Sequence, residues 1–188
     1  MSLTRLCVFA GSGDGRHPDY REAAILLGRE LARRQVSLVY GGARIGLMGA
    51  VADAVLDGGG EVIGVLPGSL VKSEIAHQGL TELRLVGSMH ERKEEMGGLA
   101  DGFLALPGGL GTFEELLEAA TWSQLGIHAK PCGALNVRGY FDQLAFLLDR
   151  AVDEEFLTPS HRQIVLLDDR PDVLLRRVGE WEAPVAKW

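Results

Sequence analysis

The sequence predicts an α/β fold in which a doubly wound parallel sheet carries helices on both faces. Short apolar runs alternate along the chain with longer amphipathic stretches, as in repeated βαβ units. Several of these runs are apolar at consecutive positions, which is typical of strands that are buried on both faces. Glycine clusters follow some of the runs directly. These observations favour a Rossmann-like sheet that binds its ligand at the carboxyl ends of the strands.

The predicted elements follow one another from the N-terminus without an internal repeat. The predicted strands occupy residues 5–10, 36–40, 61–66, 83–86, 102–106, 132–137 and 164–167. The predicted helices occupy residues 19–34, 47–57, 89–100, 112–125 and 140–154. In the first helix Ala23, Leu27 and Leu31 share one apolar stripe, and Pro18 suits the first helical turn. We expect a single domain over residues 1–188, with residues 168–188 as a C-terminal appendage.

Composition and charge exclude several classes of partner. The 188 residues include 46% hydrophobic and 24% charged residues, which is ordinary for a globular protein. Lys and Arg total 19 against 26 Asp and Glu, so the formal net charge is −7. Proteins that bind a nucleic-acid backbone usually carry a basic surplus, so we expect neither nucleic acid nor an anionic membrane as a partner. A small phosphorylated ligand needs only one local positive pocket and stays compatible with this charge.

Targeting and cysteine usage indicate a soluble, cytoplasmic protein. The N-terminus lacks the basic start and long apolar core of a signal peptide, and no apolar run has the roughly 20 residues of a membrane helix. Cys7 and Cys132 each lie in an apolar run, which indicates buried free thiols in a reducing compartment. The five histidines and two cysteines lack the spacing of metal ligands, so we expect no metal.

Three glycine clusters are the first candidates for a binding site. They occupy residues 11–15, 41–49 and 107–112, each at the end of a predicted strand. None is a Walker A loop, and none matches the spacing of a dinucleotide fingerprint, so NAD is disfavoured. Backbone N–H groups in such loops, together with the N-terminus of a following helix, suit a phosphate monoester. The alternative is that the glycines only permit tight packing between strands and helices.

The candidate catalytic residues are an acid and a cation. Glu115 follows the third glycine cluster by one helical turn, where a carboxylate would lie beside a sugar attached to a bound phosphate. Thr112-x-x-Glu115 is also a capping box, so Glu115 has an alternative role at the helix start. Arg92 follows the fourth predicted strand and has an alternative role in a surface ion pair with Glu95. No Gly-x-Ser-x-Gly elbow or nucleophilic cysteine arrangement is present.

Two of these segments resemble the motifs of a known family. Residues 107–115, Pro-Gly-Gly-Leu-Gly-Thr-Phe-Glu-Glu, resemble the PGGxGTxxE motif of the LONELY GUY (LOG) family, whose members are often mislabelled lysine decarboxylases. Residues 89–93, Met-His-Glu-Arg-Lys, resemble the MHxRK segment of the same family. Gly-Leu-Met-Gly at residues 46–49 and the segment at residues 121–128 also fit its pattern, and the resemblance extends over residues 5–168.

The resemblance implies a cytokinin riboside 5′-monophosphate phosphoribohydrolase. Such an enzyme hydrolyses the N-glycosidic bond of an N6-modified AMP and releases the free base and ribose 5-phosphate. Members are typically homodimers and need neither a cofactor nor a metal. The motifs imply that Arg92 and Glu115 are the catalytic pair. They further imply substrate contacts, in addition to that pair, by Glu74, Met89, Lys93, Gly108, Gly109, Leu110, Gly111, Thr112, Phe113, Glu114 and Thr121.

Departures from the family pattern and two other functions remain open from sequence. Ala10, Gly13 and Ala43 stand where the family often has cysteine, serine and glycine, which affects ligand details of the first two loops. A general AMP nucleosidase would use the same residues. A non-catalytic carrier would share the fold and glycine loop, as molybdenum-cofactor carriers do, and there Glu115 would only cap its helix. Lysine decarboxylation is disfavoured because no pyridoxal-lysine context is present, and a protein-interaction module fits least.

Overall fold

The computed structural model describes residues 3–71 and 76–187 and contains seven strands. The strands are β1 (Arg5–Phe9), β2 (Ser37–Tyr40), β3 (Val62–Pro67), β4 (Glu82–Val86), β5 (Gly102–Ala105), β6 (Cys132–Leu135) and β7 (Val165–Asp168). The helices are α1 (Pro18–Arg33), α2 (Gly46–Asp57), α3 (Gly68–Val71), α4 (Met89–Leu99), α5 (Leu110–Gln124), α6 (Asp142–Asp153), α7 (Pro159–Arg162) and α8 (Pro171–Gly179). No helix in these described ranges is long and apolar enough to cross a membrane.

All seven strands are parallel, in the order β4-β3-β2-β1-β5-β6-β7. The chain builds the sheet outward from β1 to β4 and then returns to place β5 on the other side of β1. The order therefore reverses between β1 and β5, and the crevice for a ligand in such a sheet lies at that switch point. The predicted α/β, doubly wound Rossmann-like fold is confirmed.

Two hydrophobic layers cover the sheet. On one face α1, α2 and α8 pack against side chains such as Leu6, Val8 and Leu38. On the other face α4 and α5 pack against Cys7, Phe9 and other residues that point the opposite way along the same strands. Because successive strand residues point to opposite faces, β1 is buried on both sides from Leu6 to Phe9. Burial on both faces is therefore the reason why the residues of this strand are apolar at consecutive positions.

The structure differs from the predicted elements by two residues at two helix starts, and it contains three short helices that were not predicted. Helix α5 begins at Leu110, two residues before the predicted start, and helix α6 begins at Asp142, two residues after it. Helices α3, α7 and α8 were not predicted. Helix α8 lies within the segment that sequence analysis treated as an appendage, and it buries Leu174, Leu175 and Val178 against the sheet.

Candidate active site

The three glycine loops meet at the switch point between β1 and β5. The Gly11 amide donates to the Pro107 carbonyl over 3.1 Å, and the Leu47 amide donates to the Gly11 carbonyl over 3.1 Å. Gly46 has a φ of +58°, and a Cβ there would strike the backbone of Ser12. Only glycine satisfies both this left-handed conformation and this close approach. The loops after β1, β2 and β5 thus form one continuous surface, as their places in the sheet predict.

The third loop leads directly into the N-terminus of α5. Gly109 is the N-cap of this helix and makes no side-chain capping bond. A Cβ on Gly108 would collide with the side chain of Thr112, and the Tyr140 hydroxyl donates to the Gly108 carbonyl over 2.5 Å. These contacts fix the loop so that the first amides of α5, which have no partners within the helix, point outward together. This arrangement is a ready site for an anion.

The start of α5 at Leu110 excludes the capping alternative for Glu115. A capping box requires the acid at the third helical position, and that position is taken by Thr112. Glu115 lies in the second turn instead, where its side chain points to α4. The Glu115 carboxylate therefore does not cap the helix and is available to a ligand.

Arg92 of α4 faces Glu115 of α5. Their Nη1 and Oε1 atoms are 3.5 Å apart, and each side chain is only 12% exposed. The Arg92 Nε donates to the carbonyl of Val65, within β3, over 3.1 Å. A Cβ on Gly41, at the end of β2, would strike the Arg92 guanidinium. Arg92 is thus held from three sides, by β2, by β3 and by the carboxylate.

Burial and charge act in opposite directions on Glu115. Burial raises the pKa of this carboxyl above its ordinary value, and the nearby Arg92 guanidinium opposes that rise. Glu114 and Glu118 raise the pKa further, and Lys93 lowers it. The pKa remains above the ordinary range, so the carboxyl takes up a proton more readily than an exposed glutamate. A raised pKa suits this carboxyl for general acid–base catalysis.

The pair opens into a cleft of about 350 Å³. This volume falls within the range of small-molecule sites. One wall is the glycine surface, including Gly11, Gly41 and the segment from Gly109 to Thr112. Three methionines, Met48, Met89 and Met96, also line the cleft. The cleft therefore combines an anion site, a charged pair and apolar side chains.

Lys93 lies behind Glu115. Its Nζ contacts the Glu114 carboxylate at 2.6 Å and the Glu118 carboxylate at 2.9 Å. Lys93, Glu115 and Glu118 also line a separate cavity of about 20 Å³, closed by aromatic residues such as Phe9 and Trp122. The hydrogen bond to Glu114 is the largest cause that raises the pKa of Lys93, so the side chain is a cation.

The other residues that the motifs implied are placed as follows. Thr121 is exposed further along α5, with its hydroxyl donating to the Leu117 carbonyl. Phe113 stacks on Tyr140 with ring centroids 6.2 Å apart, on the side of α5 that faces the core. Glu74 lies outside the described residues. Gly108 lines a neighbouring pocket beside Ser12 and Tyr140. The remaining residues all line the cleft, namely Met89, Gly109, Leu110, Gly111, Thr112 and Glu114.

The sequence did not predict two groups that contact Arg92, and it left open whether Arg92 forms a surface ion pair instead. The alternative paired Arg92 with Glu95, but Glu95 pairs with Arg84. The missed contributors are the Val65 carbonyl, for which the sequence carries no signal, and Gly41, which belongs to a predicted glycine cluster. Within the described ranges no group of three or more His, Cys, Asp and Glu side chains could hold a metal ion.

Comparison with known proteins places the chain in a family. The family model described as "Possible lysine decarboxylase" matches residues 48–178. The chain is 51% identical over 178 residues to "Cytokinin riboside 5'-monophosphate phosphoribohydrolase LOG7" of Arabidopsis thaliana, covering 95% of this chain and 82% of that protein. It is 54% identical over 177 residues to "Probable cytokinin riboside 5'-monophosphate phosphoribohydrolase LOGL9" of Oryza sativa subsp. japonica, covering 94% of this chain and 78% of that protein.

A solved structure shares the fold at low identity. The molybdenum cofactor binding protein of the phototrophic bacterium Rippkaea orientalis superposes with a TM-score of 0.71 and 20% identity, covering 96% of this chain and 98% of that one. At this identity the likeness shows the fold alone. The motifs at residues 89–93 and 107–115 lie within the matched region, and the near-complete coverage at about half identity settles the relationship. The chain belongs to the LONELY GUY (LOG) family.

Proposed function

We propose that this chain hydrolyses the N-glycosidic bond of an N6-modified adenosine 5′-monophosphate and releases the free base and ribose 5-phosphate. The names of its relatives at about half identity support this activity. The observation that carries it is the Arg92–Glu115 pair, buried at the mouth of a phosphate-type glycine loop. A carrier protein needs the loop but not a buried acid with a raised proton affinity.

The substrate phosphate binds at the N-terminus of α5. The amides from Leu110 to Thr112 supply hydrogen bonds, and the helix dipole favours the negative charge. The overall charge of −7 does not oppose this binding, because the amides and Arg92 make a local positive site. With the phosphate there, the ribose extends along α5 toward the second helical turn, where Glu115 lies.

Glu115 acts on the sugar and on the attacking water. Cleavage passes through an oxocarbenium-like ribose, which a carboxylate beside the ring stabilises. Water forms the new bond to C1′ as the C1′–N9 bond breaks, and the electron pair of that bond leaves with the base. Glu115 takes the proton that the water loses, and the departing base gains a proton at a ring nitrogen. Arg92 keeps Glu115 in place and balances its charge while no proton is bound.

The methionines that line the cleft support an N6-modified base over plain adenine. Met48 is partly exposed and Met89 is exposed there, and their flexible thioether chains adapt to an added hydrocarbon group. A plain amino group at N6 would leave these side chains without an apolar partner. They are therefore the feature that favours a hydrophobic N6 substituent.

A homodimer is part of the same proposal. Helix α6 has no fully buried residue, and it exposes Phe146 and Leu147 at 69% and 63%. Leu117 on the neighbouring α5 is exposed as well. Apolar side chains gathered on one face of a protein favour a partner surface. A second copy of this chain that packs helix against helix would cover them.

A reducing compartment, the cytoplasm, also belongs to this proposal. Cys7 and Cys132 are both free and fully buried. They lie on β1 and β6, which β5 separates in the sheet. Burial raises the pKa of both thiols, that of Cys132 to about 12, so neither is a reactive thiolate. Two unpaired thiols of this kind are ordinary in a reducing environment.

The test is base release measured by chromatography after incubation with AMP and, separately, with N6-isopentenyl-AMP. We expect release from both nucleotides, faster from the N6-modified one, and a loss of about 10²-fold or more in Glu115→Gln. Glu94→Gln, at an exposed position on α4, is the matched control and keeps the wild-type rate. Equal rates on the two nucleotides would indicate a general AMP nucleosidase. Release from neither would contradict a phosphoribohydrolase.

A further inference from the structure

A second charged group lies directly behind the candidate catalytic acid. Lys93 and Glu118 are on neighbouring helices, with the Lys93 Nζ 2.9 Å from the Glu118 carboxylate. Their side chains are only 18% and 24% exposed. Both border the cavity of about 20 Å³ that Glu115 also borders. Lys93 therefore borders the same small cavity as Glu115, yet its ammonium is paired with two other acids.

We propose that Glu118 is a positioning residue that holds the Lys93 ammonium away from Glu115, so that Arg92 remains the cation facing the catalytic carboxylate. The inference rests on the proposed function of Glu115. Sequence analysis did not select Glu118, because the LOG motif ends at Glu115 and Glu118 belongs to the next helical turn. The Lys93 side chain is long and flexible, so that loss of Glu118 would let its ammonium turn toward Glu115. The planar guanidinium of Arg92 is instead fixed by its hydrogen bond to the Val65 carbonyl.

The charges around Glu115 explain why this restraint matters. Arg92 and Lys93 face it from α4, Glu114 and Glu118 from α5, and the Cys7 thiol from β1. A second cation bonded to Glu115 would stabilise its charged form and weaken it as a base. It would also occupy the carboxylate oxygen that the attacking water needs. Pairing Lys93 with Glu118 keeps the local charge balanced without either effect.

Glu114 and Glu118 hold Lys93 in different surroundings, and the contact with Glu114 is the shorter, at 2.6 Å against 2.9 Å. The Glu114 side chain is 55% exposed and borders the open cleft, so solvent screens its attraction for Lys93. Glu118 is less than half as exposed and borders the small cavity that Glu115 also borders. Screening is weaker there. The two acids thus form a natural comparison, because both bind the same ammonium but only one lies behind Glu115.

The experiment compares pH profiles of kcat/KM for N6-isopentenyl-AMP in wild type, Glu118→Gln and Glu114→Gln. We expect Glu118→Gln to move the acid limb to lower pH by roughly half a unit or more and to lower kcat several-fold, with KM changed less than twofold. Loss of either negative charge also lowers the Glu115 pKa directly, so each variant is repeated in a Lys93→Met background, where no ammonium can move. We expect Glu118→Gln to move the acid limb less in that background than in the presence of Lys93, whereas the shift in Glu114→Gln should be the same in both. An equal shift in Glu118→Gln with and without Lys93 would overturn the proposal.

A readout that needs no turnover separates this inference from the proposed function. Carboxyl carbon NMR follows the titration of Glu115 directly, and the resonance is assigned by its loss in Glu115→Gln. We expect the Glu115 titration to move to lower pH in Glu118→Gln, and to move less when the same substitution is made in a Lys93→Met background. If neither nucleotide is hydrolysed but the shift depends on Lys93, the proposed function fails and the positioning of Lys93 stands. If the shift is the same with and without Lys93, the positioning role is wrong.

Discussion

Glu115 combines a role in the proposed chemistry with a cost to the folded state. Its pKa is raised in the folded protein, chiefly by burial. When the pKa of a carboxyl is higher in the folded than in the unfolded protein, proton binding favours the folded state. This contribution is fully present only below the pKa of the unfolded state, which is roughly 4.3 for glutamate. That contribution is lost as the pH rises through the folded pKa, because the buried group must then ionise. At neutral pH the ionised Glu115 therefore destabilises the protein.

We predict that Glu115→Gln unfolds at a higher temperature than wild type at pH 7. Glutamine has nearly the shape of the protonated acid and removes the cost of ionisation. The difference should shrink as the pH falls toward 4, where wild-type Glu115 takes up its proton in both states. Thermal unfolding followed by circular dichroism at several pH values measures it. A variant less stable than wild type at pH 7 would show that the attraction to Arg92 outweighs burial.

Because Gly41 has no side chain, the Arg92 guanidinium can lie directly against its backbone. We predict that Gly41→Ala lowers turnover about tenfold or more, because the added methyl group would displace the guanidinium from Glu115. The free energy of unfolding should change by no more than about 1 kcal/mol, since the clash is with the far end of a side chain. Base release and urea unfolding measure the two effects separately.

A matched glycine and a double variant identify the cause of the Gly41 effect. A Cβ on Gly98, on the same helix as Arg92, would meet nothing within 4 Å, so Gly98→Ala should retain wild-type turnover. In an Arg92→Ala background, Gly41→Ala should have little further effect on turnover, because the displaced group is already absent. Additive losses in the double variant would mean that Gly41 acts independently of Arg92.

At the scale of elements, periodicity predicted the sheet better than it predicted helix ends. All seven strands form where the apolar runs stand. The five inner strands are buried on both faces, which leaves a clear pattern, whereas the edge strands β4 and β7 are partly exposed. The start of α5 was misplaced because Thr112 and Glu115 have capping-box spacing, while the real N-cap is Gly109 with no side-chain bond. Helix α8 was missed because it is short and strongly charged, and only its packing on the sheet defines it.

The outer edge of the sheet is closed by side chains. The Arg177 Nη1 of α8 donates to the Leu167 carbonyl of β7 over 2.6 Å, and the Arg162 Nη1 donates to the Val165 carbonyl over 3.1 Å. The Trp181 indole donates to the Gln163 carbonyl just before the strand. An edge strand with free carbonyls invites pairing with another chain. These side chains donate hydrogen bonds to three carbonyls in and beside β7, and two of them attach the C-terminal segment to that strand.

We predict that Arg177→Ala lowers the free energy of unfolding by about 1 kcal/mol, because the Leu167 carbonyl loses a charged donor that is partly exposed to solvent. Urea unfolding measures the loss. Arg176→Ala, at the exposed neighbouring position on α8, is the control and should stay within about 0.5 kcal/mol of wild type. A similar loss in both variants would attribute the effect to the helix rather than to the edge of β7.

At the scale of the whole molecule, the candidate site combines parts that the sequence reveals to different degrees. Arg92 and Glu115 were predicted because each lies in a motif that follows a strand. The Val65 carbonyl and Glu118 were not, since a backbone acceptor has no residue signature and Glu118 resembles any charge on a helix surface. Their roles arise only when the sheet brings α4 against β3 and α5. Local patterns therefore predict the candidate catalytic residues, and packing determines which other groups contact them.

The exposed face of α6 leads to the last prediction, which concerns assembly. We expect wild type to be a dimer and Phe146→Asp to be a monomer by size-exclusion chromatography with light scattering, because a buried charge would oppose packing of the two copies. Leu26→Asp on α1, on the opposite face of the sheet and 52% exposed, is the matched control and should remain dimeric. A monomeric wild type would refute the dimer. If Phe146→Asp stays dimeric while Leu26→Asp dissociates, the partner covers the α1 face, and α6 is exposed for another reason.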